Sequence, residues 1–346
     1  MIAVLGEVMI ELSAAGAGLL RPGVAGDTYN TAVMLSRLGA KVAYATALGD
    51  EQFSAQIRQA MAQQGLTDNA VLSLTGQQPG LYCISNSADG ERSFSYWRQH
   101  SAARQTFQSI ALFQQLLQSI QHCTDVYWSG ITLSLMSEAV LSSWLEYLLQ
   151  LQQRGGQVYF DTNYRAALWQ GRIDLLQCYQ AAMQHCNYFL PSLEDCHCIW
   201  GSDTPAQALE LLQRLLSTAT VSSFTNSSFT DKPVICLTAQ QQLCWLDGSG
   251  YQQFSLQFSP QMVDATGAGD AFSGALIAAL QQALPIAQAV NIAHKAASTV
   301  VQQQGAILSE ATWPELLAQL KSLGLYSSHG CTGAPMHDMT KHGKIT

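Results

Sequence analysis

"VDATGAGDAFSGAL", residues 263–276, changes character halfway along. Its first half is a loop of small residues carrying Gly267 and Gly269, and from Asp270 onward small and apolar residues follow at helical spacing. Glycine lets a backbone turn tightly and approach a ligand closely. A helix beginning here aims unpaired N–H groups and the positive end of its dipole at the loop, an anion hole that needs no lysine. Gly267, Ala268 and Gly269 are therefore candidate donors to a transferring phosphoryl group. Asp270, in the first helical turn, is the candidate base for a hydroxyl attacking it, with Asp264 at the loop's other edge. On spacing alone the stretch fits equally an ordinary core helix with an acid in its first turn. It is not a P-loop, because Gly-Lys-Ser/Thr is absent, and the third position of a dinucleotide fingerprint falls on Phe272.

Outward from this loop, the chain alternates short apolar runs with helical periodicity. Strand candidates are 2–12, 41–50, 125–130, 157–163, 187–192 and 233–238, and helices are expected at 28–39 and 51–65. The alternation predicts an α/β fold with a mostly parallel central sheet and helices on both faces. Residues 80–99 break the rhythm, as two strand-like runs around Asp89-Gly90, a hairpin turn signal. Together with the Gly-rich segment 11–28 they are expected to form a small β-lid. The expected organisation is a single domain over 1–325, with a Ser/Thr-rich surface loop at 217–232 and a poorly ordered tail at 326–346.

The chain has 346 residues, 48% of them hydrophobic, and a formal net charge of −8. That composition supports a large core and argues against a nucleic-acid surface, while a small anionic substrate remains compatible with a few placed arginines. No apolar run is long enough to span a membrane. The N-terminal run holds Glu7 and Glu11 and reads as a buried strand rather than a leader. Nine scattered cysteines read as reduced thiols in a cytoplasmic protein. Zinc is disfavoured, because "CHC" at 196–198 matches no usual ligand spacing.

The 263–276 stretch resembles the signature of the ribokinase-like (PfkB-type) carbohydrate kinases, Asp-Thr-x-Gly-Ala-Gly-Asp, with Ala265 in place of the threonine. Further segments are similar to the 2-dehydro-3-deoxygluconokinase branch of that family, in order along the chain. They are GEVMIELS (6–13), GDTYNTAVMLSRLG (26–39), GERSFSYWRQHSAA (90–103), FDTNYRAALW (160–169) and ASTVVQQQGAI (297–307). The resemblance implies a ribokinase-like fold with a β-lid through which such proteins self-associate. It implies transfer of the ATP γ-phosphate, with Mg²⁺, to the 6-hydroxyl of a small sugar acid, 2-dehydro-3-deoxy-D-gluconate.

The same resemblance assigns roles. Gly26, Asp27 and Asn30 would read sugar hydroxyls. Tyr82, Tyr96 and Arg98 in the hairpin would meet the substrate, with Arg98 on its carboxylate. Asn163 and Arg165, at the carboxyl end of a strand, would contact substrate or nucleotide phosphate. Asp195 and Glu194 fall where the family's Asn-x-x-Glu region helps hold Mg²⁺, although Ser192 replaces the asparagine. Thr238 and Asn291 would lie beside the nucleotide. The glycine-rich turn usual there is replaced by Ala239 and Gln240 to Gln242. Two other readings stay open: a kinase for another ketose or ribose-like sugar, and a non-catalytic sugar or nucleotide sensor.

Overall fold

The computed structural model describes residues 1–16, 18–86, 92–217, 233–256 and 262–326. Its strands are β1 (Ile2–Leu5), β2 (Met9–Ala14), β3 (Leu20–Ala25), β4 (Val42–Leu48), β5 (Val71–Ser73), β6 (Gly80–Asn86) and β7 (Arg92–Trp97). They continue as β8 (Asp125–Ser129), β9 (Gln157–Asp161), β10 (Tyr188–Leu190), β11 (Val234–Ala239), β12 (Gln242–Asp247) and β13 (Gly250–Ser255). Nine of them form one sheet in the order β13-β12-β11-β10-β9-β8-β1-β4-β5. Pairing is parallel from β11 to β5 and antiparallel across β11-β12-β13.

Side chains alternate between the two faces of a strand, so each strand of a doubly covered sheet feeds two cores. Ala3, Leu5, Val126, Trp128, Val158 and Phe160 enter one core, under the helix Glu138–Gln153 and its neighbours. Ile2, Val4, Tyr127 and Tyr159 enter the other, under the helices Asp27–Arg37, Ala268–Gln281 and Ile286–Val300. The expected α/β class and parallel sheet are therefore present, with helices on both faces. Among the described residues no helix is long and apolar enough to cross a membrane.

The chain does not keep 2–12 as one strand. β1 ends at Leu5, and after Gly6 to Val8 the chain enters a second, four-stranded sheet, ordered β3-β2-β6-β7. Both stretches are apolar, so periodicity alone cannot see that they pair with different partners. In the small sheet β6 and β7 are antiparallel, with Tyr82 opposite Tyr96. The turn around Asp89-Gly90, the loop at 218–232 and the tail from 327 lie outside the described residues.

The order in which strands are added to the main sheet reverses at β1, while the strands themselves stay parallel. From it the chain steps out to β4 and β5, then returns to β8 on its other side. Ligands of open α/β sheets bind beyond the strand carboxyl ends at such a switch point. Here that crevice is bounded by the ends of β1, β8 and β9, and by the first turns of the helices starting at Asp27 and Ala268.

Candidate active site

Asp270 stands in the first turn of the helix Ala268–Gln281 and is 9% exposed. Asn30 Nδ2 donates to its Oδ2 at 2.8 Å. Burial, and then the carboxylates of Asp27 and Asp161, hold its carboxyl well above the usual range, while Asn30 and the Arg165 cation pull it back. A carboxyl so placed binds a proton strongly, as a base must. Asn30 Oδ1, also buried, has no hydrogen-bond partner. It is an acceptor facing no protein donor, the disposition expected of a residue that takes a ligand hydroxyl.

The loop before the helix has the expected geometry. Gly267 is the N-cap, in the left-handed region at φ 78°, and a Cβ there would lie 2.4 Å from the Ala306 Cβ. A Cβ on Gly269 would meet nothing within 4 Å, so space is open beside that amide. Ala268 N–H donates back to the Ala265 carbonyl at 3.3 Å, and the following N–H groups, of Gly269 and Asp270, have no intrahelical acceptor.

Asp27 begins the helix Asp27–Arg37, and Gly26 before it must be glycine, because a Cβ would lie 2.5 Å from the Glu7 carbonyl oxygen. Asp27 Oδ2 accepts from Ser129 Oγ at 2.5 Å and from Asn163 Nδ2 at 3.1 Å. Asn163 has φ 28°, a left-handed conformation held by its own N–H donating to Asp161 Oδ1 at 3.1 Å. Asp161 was not among the residues singled out from sequence, although it ends β9 at the sheet's carboxyl edge. Burial and the neighbouring Asp195 and Asp27 push its carboxyl up to about 7.

The inner face of the small sheet looks into the same crevice. Tyr82, Phe94 and Tyr96 form a ring cluster, with the Tyr82 and Tyr96 centroids 5.7 Å apart. The Tyr82 hydroxyl donates to Glu11, and its pKa is raised by burial, then by Glu11, with Asp270 contributing. Burial also raises the Tyr96 pKa, while Arg98 and Arg165 oppose this, so both arginines lie within electrostatic reach of that phenol. Arg98 departs from the expectation of a free arginine. It follows the end of β7, is 6% exposed, and its Nη2 forms an ion pair with Glu7 Oε2. Its buried Nε has no hydrogen-bond partner.

Asp264 spends both carboxylate oxygens on backbone, accepting from Thr266 N at 2.9 Å and from Gly305 N at 2.9 Å. It ties the loop to 305 rather than facing substrate. Asn291 is exposed near the middle of the helix Ile286–Val300, whereas it is the far end, at Val301, that accepts from Asp264 N at 3.1 Å. Asp195 accepts from Thr162 Oγ1 at 2.6 Å, is 9% exposed and braces the turn after β9, while Glu194 is exposed. Among the described residues no group of three potential metal ligands forms, so these two do not make a protein-built cation cage. Thr238, half-buried on β11, directs Oγ1 to the Pro191 carbonyl at 3.4 Å.

With this geometry in place, comparison with known proteins gives the family. The sequence pattern of the pfkB family carbohydrate kinases matches residues 1–313. The chain belongs to this family. A 2-dehydro-3-deoxygluconokinase of Dickeya dadantii (strain 3937) is 33% identical over 319 residues, covering 90% of this chain and 98% of that one. The enzyme of the same name from Escherichia coli (strain K12) is 32% identical over 322 residues, covering 90% and 98%. The fold is similar to a crystal structure titled as a putative ribokinase II in complex with ATP and Mg²⁺ from E. coli. That comparison has a TM-score of 0.75 and 18% identity, and covers 93% of this chain and 99% of that one. As a pfkB-family sugar kinase, the chain departs from the family's pattern at Ala265, Ser192 and the 239–242 turn. In that turn Gln240 adopts φ 39° without being glycine.

Proposed function

We propose that this kinase phosphorylates 2-dehydro-3-deoxy-D-gluconate at its 6-hydroxyl, consuming ATP with Mg²⁺ and yielding 2-dehydro-3-deoxy-6-phospho-D-gluconate. The observation that carries the chemistry is the placement of Asp270. It is buried and raised in basicity, one residue from an open amide cradle, and hydrogen-bonded to an asparagine with an unused acceptor. The substrate follows from the names of the relatives that match nearly end to end. Open space beside Gly269 fits the terminal phosphate of a nucleotide, which supplies the phosphoryl group. Because no group of three potential ligands forms among the described residues, Mg²⁺ would be carried chiefly by phosphate oxygens and water, as that ion favours.

Asp270 takes the proton from the acceptor hydroxyl as its oxygen forms the new bond to phosphorus. The helix amides meet the charge that builds on the transferred group as the bond to the ADP leaving oxygen breaks. Asp27 and Asn30 orient hydroxyls of the acceptor. Tyr82 and Tyr96 close over it as a lid and exclude water. Arg165, and the spare Nε of Arg98, supply the attraction for a carboxylate. The eight described cysteines, all free, suit a reducing cytoplasm.

One observation favours a second reading. Glu7 already neutralises Arg98, which lowers the demand for an acidic substrate and suits a neutral ketose. A coupled assay for ADP across sugar acids and neutral ketoses, with and without Mg²⁺, separates the two. Turnover confined to 2-keto-3-deoxy acids supports the first reading, and a preference for fructose or ribose supports the second. No turnover on any sugar would favour a sensor.

A further inference from the structure

Asp161 makes three hydrogen bonds, each reaching a different part of the site. Its Oδ2 accepts from Ser273 Oγ at 3.1 Å and from Tyr127 OH at 3.2 Å, and its Oδ1 accepts from Asn163 N at 3.1 Å. Ser273 lies three residues after Asp270, so the two share one face of the helix Ala268–Gln281. Asn163 in turn directs Nδ2 to Asp27. Tyr127 OH lies 3.4 Å from Thr31 Oγ1, which is also 3.2 Å from the Asp270 carbonyl oxygen. One carboxyl thus touches the helix bearing the base, the strained turn that aims Asp27, and the hydroxyl pair between the two helices.

We infer that Asp161 is a positioning residue for phosphoryl transfer, holding Asp270 and Asp27 in mutual register without itself contacting substrate. The inference rests on Asp270 being the base. A carboxyl in an ordinary surface role would face water, whereas Asp161 is half-buried and collects donors from three separate elements. This one sits among other carboxylates, where only its acceptor oxygens satisfy three donors at once. Small displacements of a reacting group lower rate far more than binding, so its loss reads out in kcat.

The test measures kcat, the sugar KM and thermal unfolding for wild type, Asp161→Asn, Ser273→Ala, their double variant and Asp270→Asn. Asp161→Asn is expected to lower kcat by about tenfold or more, with KM within about threefold and the unfolding midpoint not lowered. Ser273→Ala should lower kcat by a smaller factor, and the double variant should fall no further than Asp161→Asn, because one hydrogen bond is shared. Wild-type kcat in either single variant overturns the inference. So does a fall in kcat matched by a fall in the unfolding midpoint, the mark of a plain strut. Should Asp161→Asn fail to fold, Ser273→Ala still decides. Turnover by Asp270→Asn at the wild-type rate would sink the base reading instead, whatever the other variants do.

Discussion

Asp270 occupies a position where a helix dipole welcomes an acid but burial penalises its charge. Asn30 and the Arg165 cation favour the ionised form and offset part of that penalty, while the carboxyl stays well above its ordinary range. Asp270→Asn is expected to lower kcat by about 10²- to 10⁴-fold while leaving sugar affinity within about threefold, read by steady-state kinetics and calorimetric titration. Asp161 bears on stability as well as rate. Its folded-state pKa is about 7 against an ordinary 3.8, so the native chain binds its proton more tightly than the unfolded chain. That contribution is complete below the ordinary value and is lost as pH rises toward and through 7. The unfolding temperature of Asp161→Asn relative to wild type should therefore increase as pH is raised from about 4 to about 8; a constant difference would contradict the shift. Gln240 holds φ 39° in the β11-β12 turn. A left-handed conformation costs a non-glycine residue about 1 kcal/mol, so Gln240→Gly should stabilise by up to about that amount in chemical denaturation. Asp270 could be picked out by its neighbours in sequence. Asp161 could not, since its significance comes from Ser273, Tyr127 and Asn163, which converge on it only after folding.

At the scale of elements, the 263–276 loop and its helix form as their residues dictate. The turn requires a left-handed N-cap, Gly267 supplies it, and the small side chains after Asp270 let the helix pack closely against Asp27–Arg37. Gly267→Ala would combine backbone strain with a clash at Ala306, and is expected to cost about 1–3 kcal/mol of stability and to raise the KM for ATP. A variant with wild-type melting and ATP KM would refute the cradle. The hairpin of β6 and β7 was legible because a turn signal separates two alternating runs. Its arginine was not. The resemblance put Arg98 on the substrate carboxylate, but β7 stops at Trp97, and Glu7 from the β1-β2 crossing pairs with the guanidinium. Asp264 likewise seemed to face the ligand until Gly305 arrived from 41 residues away to claim it.

For the molecule as a whole, the small sheet presents two dissimilar faces. The inner one carries Tyr82 and Tyr96 over the site. The outer one lines a groove of about 430 Å³ with Ile10, Leu12, Leu20, Leu81 and Trp97, and the adjoining Phe53. Trp97 is 62% exposed and Leu20 49%, more apolar surface than an isolated chain gains from leaving in water. Self-association through this face is the expectation. Trp97→Glu should shift sedimentation from dimer to monomer without altering the melting of the main body, and a wild type that sediments as a monomer at micromolar concentration would refute it.

By itself the sequence determined the α/β class, the places of its principal strands along the chain, the glycine loop running into a helix with Asp270 in its first turn, and the two strands of the hairpin, because each is encoded by periodicity or turn chemistry within a dozen residues. Only the tertiary structure decided that residues 2–12 serve two sheets, that Arg98 belongs to Glu7, that Asp264 ties a loop, and that Asp161 joins the elements around the base. Those outcomes depend on which groups from distant segments meet in a buried space, where a charge or hydrogen bond is settled by its partner rather than by its neighbours in the chain.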